Sequence, residues 1–216
     1  MSARFAGLVA ALLGGLTACS DYSVYEPPPV APAEPPGDEG DDFGDPPDWD
    51  DCYEGYLGQY YNLPRTHPDL DPEDPGAEID YTSRDWWDDT YLSFQRYDPS
   101  LDFGANWWPV DEGLADDPDY FSGRWTAWLR AWNDETIAFT LAAASDAWIL
   151  IDDEVVGSIT GSPDFEPVTI ELDIDAGQYP LELRFAQRVT AESGFRFRVI
   201  QGETTVCYPE FEDSEE

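Results

Sequence analysis

Val168-Thr169-Ile170-Glu171-Leu172-Asp173-Ile174 alternates without a break, four apolar residues against three polar ones. A period of two sends successive side chains to opposite faces and is the mark of a half-buried β-strand. Asp175-Ala176-Gly177-Gln178 then supplies turn residues, and Leu181, Leu183 and Phe185 resume the pattern opposite Glu182 and Arg184. Phe195, Phe197 and Val199 repeat it opposite Arg196 and Arg198. Upstream, Ile137, Phe139 and Leu141 form another such face. Trp148 to Ile151 and Val155 to Ile159 flank Asp152-Asp153-Glu154, which reads as a hairpin tip. No stretch holds a helical period for more than two turns. The expectation is an all-β fold, an antiparallel β-sandwich or barrel.

Residues 63 to 120 are crowded with Pro, Asp, Gly and aromatic residues, and strands there are expected to be short. Two tryptophan pairs, Trp86-Trp87 and Trp107-Trp108, lie in this part. Neighbouring residues of a strand face opposite ways, so both members of a pair cannot enter one core. Each pair therefore offers a ring for the core and a ring for a loop pocket or a stacked sugar.

The chain ends differ from its middle. Arg4 is followed by the uncharged apolar run Phe5 to Leu16, twelve residues, too short for the roughly twenty that span a bilayer and suited to a secretory signal. Leu16-Thr17-Ala18-Cys19 closes the run and resembles the lipobox of bacterial lipoproteins. That resemblance implies a signal peptide over 1–18 and diacylated Cys19 as the mature N-terminus. Two acyl chains hold a protein stably at a membrane without a spanning helix. Ser20 rather than Asp after the cysteine implies, by the sorting pattern of enteric lipoproteins, the outer membrane or cell surface. Residues 20–51 carry eight prolines, eleven acidic residues and no basic one, so the segment 19–51 is expected to be a disordered acidic tether. Residues 208–216 read as an acidic tail, and 52–207 as one domain.

Cys52 and Cys207 stand at the two ends of that domain. An even pair in an exported protein reads as a disulfide, here one that clasps the domain's termini.

The formal net charge is −37, and all ten basic residues are arginines. Nucleic-acid binding is excluded as an expectation, since phosphate contact needs a basic surface. Two explanations of the acidity stand open: solubility in high salt, where self-repulsion is screened, and divalent-cation binding by clustered carboxylates. Adjacent acidic residues occur at Asp88-Asp89, Asp111-Glu112, Asp116-Asp117 and Asp152-Asp153. Asp116, Asp117 and Asp119, three carboxylates in a short loop, are the best Ca²⁺ candidates. The sole histidine, His67, lies between Thr66 and Pro68, with no nucleophile–base pattern around it.

The order of these features resembles the protective-antigen-type β-sandwich domain, a lectin-like module of toxins, glycosidases and adhesins. Gly58-Gln59-Tyr60-Tyr61-Asn62 is similar to that family's opening strand. Asp102-Phe103, Trp108-Pro109 and Asp119-Tyr120-Phe121-Ser122-Gly123-Arg124-Trp125-Thr126-Ala127-Trp128-Leu129 resemble its central signature. Thr140-Leu141-Ala142, Ser145-Asp146 and Trp148 to Val156 resemble its hairpin, with Asp153 where the family has glycine. Ala176-Gly177-Gln178-Tyr179-Pro180-Leu181 and Phe195 to Val199 resemble its closing strands, so the likeness runs from 54 to 201. It implies Phe121 and Trp125 in the core and a non-catalytic module that binds carbohydrate. In the adhesin branch two adjacent aspartates hold Ca²⁺, which coordinates sugar hydroxyls. Asp146 matches the first, but Ala147 replaces the second. A trans Asp146–Ala147 bond and no adhesin-type calcium site are therefore expected. The implied function is a membrane-anchored module for glycan or another envelope polymer, with Asp146, Trp86, Trp87, Trp107 and Trp108 as candidate ligand contacts. The alternatives are a structural or protein-binding surface module and, third, a glycoside hydrolase.

Overall fold

The computed structural model describes residues 46–49, 52–67, 70, 84–109, 120–161, 164–188 and 193–208. They form two antiparallel sheets packed face to face, a β-sandwich. The strands are β1 (Tyr56–Asn62), β2 (Leu92–Asp98), β3 (Leu101–Ala105), β4 (Phe121–Ala131), β5 (Glu135–Ala143), β6 (Asp146–Ile151), β7 (Glu154–Ile159), β8 (Val168–Ile174), β9 (Gly177–Gln187), β10 (Gly194–Gln201) and β11 (Thr204–Cys207). The larger sheet runs β2-β1-β4-β9-β6-β7, and β11 pairs with the last residues of β4. The smaller sheet runs β3-β10-β5-β8. No helix among the described residues is long and apolar enough to cross a membrane.

Alternation builds the core. Trp125, Ala127 and Leu129 of β4, Leu181, Leu183 and Phe185 of β9, and Ile149 of β6 meet Ile137, Phe139 and Leu141 of β5 and Phe195 and Phe197 of β10. Trp125 stacks on Phe195 with centroids 4.6 Å apart, bridging the sheets. Phe121 and Trp125 are fully buried, as the family resemblance implies. Along β8 the pattern holds for Ile170, Leu172 and Ile174 but not for Val168, which is 42% exposed at the strand's start.

One departure from simple alternation matters. The outer face of the larger sheet is also covered. Leu63, Leu70 and Trp86 from the β1–β2 connection pack on Trp148, Leu150 and Ala186, forming a second apolar cluster. Beside it Glu182, itself buried, is shared by Arg124 (3.0 Å) and Arg184. Glu182, a polar residue of β9 that the sequence assigns to water, is thus buried in an ion-pair cluster.

At the edge formed by β1 and β2, a buried polar cluster interrupts the aromatic packing. Asp98 accepts from Arg96 Nε (2.7 Å), Trp125 Nε1 (3.0 Å) and the Tyr60 hydroxyl. The Arg96 guanidinium lies 4.7 Å over the Tyr60 ring. Burial pushes the Asp98 carboxyl above its usual range even though Arg96 opposes the shift.

Candidate ligand site at the loop pole

Antiparallel order sorts the connections between two poles. At one pole lie β2–β3 (99–100), β4–β5 (132–134), β6–β7 (152–153), β8–β9 (175–176) and β10–β11 (202–203), none longer than the three residues 132–134. At the other lie β1–β2 (63–91), β3–β4 (106–120), β5–β6 (144–145), β7–β8 (160–167) and β9–β10 (188–193). The first is the disulfide pole. Cys52 and Cys207 are bonded there, Cα atoms 5.7 Å apart, and Glu54 bridges to Cys207. The second, the loop pole, takes every connection between strands longer than three residues, and binding residues concentrate on loops held by a rigid scaffold.

Both tryptophan pairs and Asp146 belong to the loop pole. Neither pair is in a strand: Trp86 and Trp87 end a 3₁₀ turn, Arg84–Trp87, and Trp107 and Trp108 follow β3. Each pair nevertheless divides as expected. Trp86 is fully buried beside His67, whose ring lies 5.2 Å away, which makes the sole histidine a packing residue. Trp87 is half-buried; its Nε1 donates to Gly123 O at 3.1 Å, and the Arg184 guanidinium sits 5.1 Å from its ring. Trp107 closes the end of the core, stacked on Phe103 at 4.1 Å, and its carbonyl accepts from the Ser193 hydroxyl. Trp108 keeps 36% of its surface exposed and meets Phe121 edge-on at 5.8 Å. Of the four rings, Trp108 offers the most surface to a ligand, while Trp86 and Trp107 are packing residues rather than the expected contacts.

Asp146 opens β6 on the outer face of the larger sheet and is fully buried. Its Oδ1 accepts from Gly161 N–H at 2.8 Å and its Oδ2 from Arg188 Nε at 2.7 Å. Burial raises its carboxyl pKa, opposed by those bonds. The Asp146–Ala147 bond is trans. Both oxygens are engaged within the chain, and the cation facing Asp146 is a side chain. Asp146 is thus an ion-pair residue, not the open ligand contact expected of it. Arg188 escaped sequence reading because the partners lie 42 residues apart, joined only by β6–β9 pairing.

Asp116, Asp117 and Asp119 lie outside the described residues, as do Asp111, Glu112, Cys19 and most of the tether. Asp88 caps the 3₁₀ turn Asp89–Tyr91 by accepting from Thr90 N–H at 2.8 Å, which lowers its pKa. Asp152 and Asp153 form the β6–β7 turn at the opposite pole. No group of three or more metal-binding side chains occurs among the described residues.

A shallow depression of 240 Å³ lies at the disulfide pole, lined by Arg130, Ala131, Trp132, Ala176, Gly177 and Gln178. The Arg130 guanidinium lies 3.6 Å from the Trp132 ring and 5.4 Å from that of Trp49. Arg130 therefore joins the end of the tether to the last turn of β4, and one face of the exposed Trp132 is already taken by a cation.

No known protein family and no curated protein matches the chain. Among solved structures, it is similar to an anti-sigma factor domain-containing protein (17% identity, TM-score 0.48, covering 77% of this chain and 50% of that one). It is also similar to the epithelial adhesin 9 A domain of Candida glabrata in complex with Galβ1-4GlcNAc (12%, TM-score 0.49, covering 74% and 87%). A β-glucosidase from Kluyveromyces marxianus in complex with glucose gives 13% and 0.43, covering 68% and 16%. The chain spans half the length of the first of these. At such identities and scores none of the three bears on what this chain does.

Proposed function

We propose that this chain is a lipid-anchored protein of the outer membrane or cell surface whose sandwich, 52–207, presents its loop pole to carbohydrate or another envelope polymer. In this reading 1–18 is a signal peptide, Cys19 carries the acyl chains, and 19–51 is the tether. The domain is of the protective-antigen type and acts without catalysis. The observation that carries the reading is the division of the poles. The chain enters at the disulfide pole, where Trp49 rests near Arg130, and the long connections and Trp108 gather at the other end. A head tethered by one end displays the opposite end. An exposed indole face is a sequence-tolerant stacking platform for sugar rings, since it contributes apolar area at little entropy cost.

The test is a glycan array probed with the mature protein, with and without Ca²⁺, paired with its intact mass. A diacylated mass and selective glycan binding support the reading. A mature protein without lipid removes the anchor, and no glycan bound in either condition favours the structural or protein-binding module.

A further inference from the structure

The two sheets differ on their outer faces. Leu63, Leu70 and Trp86 cover that of the larger sheet, but the outer face of the smaller one keeps Thr136, Arg198, Thr169, Glu171 and Asp173 exposed. Charge on this second face is sorted by strand. Arg196 and Arg198 project from β10 and share Asp102 of β3, so two cations meet one carboxylate. Glu171 and Asp173 project from β8, on the other side of β5. Asp173 accepts from the Thr136 hydroxyl at 2.6 Å, and neither carboxylate has an ion-pair partner among the described residues. Between the two rows β5 presents only small side chains outward, Thr136, Ala138 and Thr140. The face is a low trough with a positive rim and a negative rim.

We propose that this face is an interface between two copies of the chain, related by a twofold axis that runs along β5. Such an axis lays β10 of one copy over β8 of the other, so the Arg198–Glu171 encounter is made twice, once on each side. An axis across the strands would set β10 over β10 and oppose like charges, which costs several kcal/mol. The pattern of charge thus selects the axis. Sheets packed face to face keep their strands within about 30° of each other, which a twofold axis along the strands permits. Two arginines against Asp102, Glu171 and Asp173 leave the face nearly balanced in a molecule of net charge −37, so two copies approach there with little local repulsion. β5 runs from the disulfide pole to the loop pole, so both loop poles come to one end and both tethers to the other. Resting on the anchored, polymer-binding reading, this is the arrangement that two copies in one membrane require, and paired loop poles add avidity without a new contact.

The test is sedimentation equilibrium of the mature chain at physiological ionic strength, with Cys19→Ser so that no lipid draws copies together. This parent is expected to dimerise as its concentration rises. Arg198→Glu and Glu171→Arg are each expected to weaken association at least tenfold, by opposing like charges. An equimolar mixture of the two variants is expected to restore the dimer, because each then faces the opposite charge on the other. Both side chains are exposed, so neither change disturbs the core. A parent that stays monomeric at millimolar concentration, or a mixture no better than the single variants, overturns the proposal. A monomer whose Arg198 side-chain resonances move when residues 20–45 are deleted also overturns it, and gives the face to the acidic tether instead. Failure here leaves the reading of the pole standing, since intact mass and the glycan array test the anchor and the ligand separately.

Discussion

The two ends of the sandwich are built from the same strands and differ in almost everything else. At the disulfide pole every turn is short, the termini are covalently joined, and the exposed Trp132 already has a cation on its ring. At the loop pole all connections but β5–β6 are long, Trp108 is partly exposed, and a buried arginine keeps a spare donor. One end is closed by local chemistry and the other is left open. The difference is why the proposed ligand site is sought among the irregular segments, with the strands serving to aim them.

The largest expected effect breaks the closed end. The Cys52–Cys207 bond closes a loop of 155 residues, and replacing both cysteines by serine should cost about 5 kcal/mol in the chain-entropy account, read as a lower urea midpoint. If the midpoint is unchanged, the clasp does not set the stability of that pole.

Acidity gives the next effect. Burial raises the folded-state pKa of Asp98 and of Asp146. A carboxyl raised in this way favours the fold fully below its unfolded value of 3.8, and that contribution is lost as pH climbs through the folded value. Asp102, on the surface, works the other way: the hydrogen bond from Arg196, aided by Arg198, lowers its pKa, so its small contribution is lost as pH falls. The two raised groups are buried, whereas Asp88 and Asp102, whose pKa values are lowered, lie at the surface and are screened by solvent; with self-repulsion from the net charge of −37 also easing as carboxylates protonate, the melting temperature should rise between pH 7 and pH 5. Molar NaCl at pH 7 should raise it as well, by screening. A melting temperature that falls on mild acidification would mean that lowered carboxylates such as Asp102 dominate instead.

The smallest effect sharpens the turn chemistry of the closed pole. Asp152 and Asp153 both have positive φ, +51° and +62°, in a two-residue hairpin turn whose second position favours glycine. Asp153→Gly should stabilise by about 0.5 kcal/mol, because it removes left-handed strain at a modest cost in chain entropy. A loss of stability there would show that the Asp153 side chain contributes more than its backbone strain removes.

Much of the fold is written plainly in the chain. β5, β8, β9 and β10 and the β6–β7 hairpin follow from alternation, because each sends one face into a common core. The rest is hidden for physical reasons. β11 is only four residues long and derives its place from pairing with the end of β4. The outer cover of the larger sheet comes from Leu63, Leu70 and Trp86, apolar residues scattered through a Pro- and Asp-rich segment with no period to betray them. Glu182 and Arg184 alternate as solvent-facing residues do, yet Glu182 is buried and pairs with both Arg184 and Arg124. The tryptophan pairs divide into inner and outer rings for a reason other than strand alternation: one sits in a 3₁₀ turn packed on the outer face of the larger sheet, the other in the segment after β3 that closes the core. At the site, Trp108 and Asp146 were legible as residues of interest, but the partner of Asp146 was not, since only the folded register of β6 on β9 brings Arg188 to it.

The central claim is that the open pole, not the closed one, meets the ligand. Affinity of the mature protein for a glycan selected on the array, compared across Trp108→Ala and Trp132→Ala, tests it most directly. The account predicts at least a tenfold loss for Trp108→Ala and an unchanged affinity for Trp132→Ala. The reverse pattern, with binding lost only at Trp132, would contradict it.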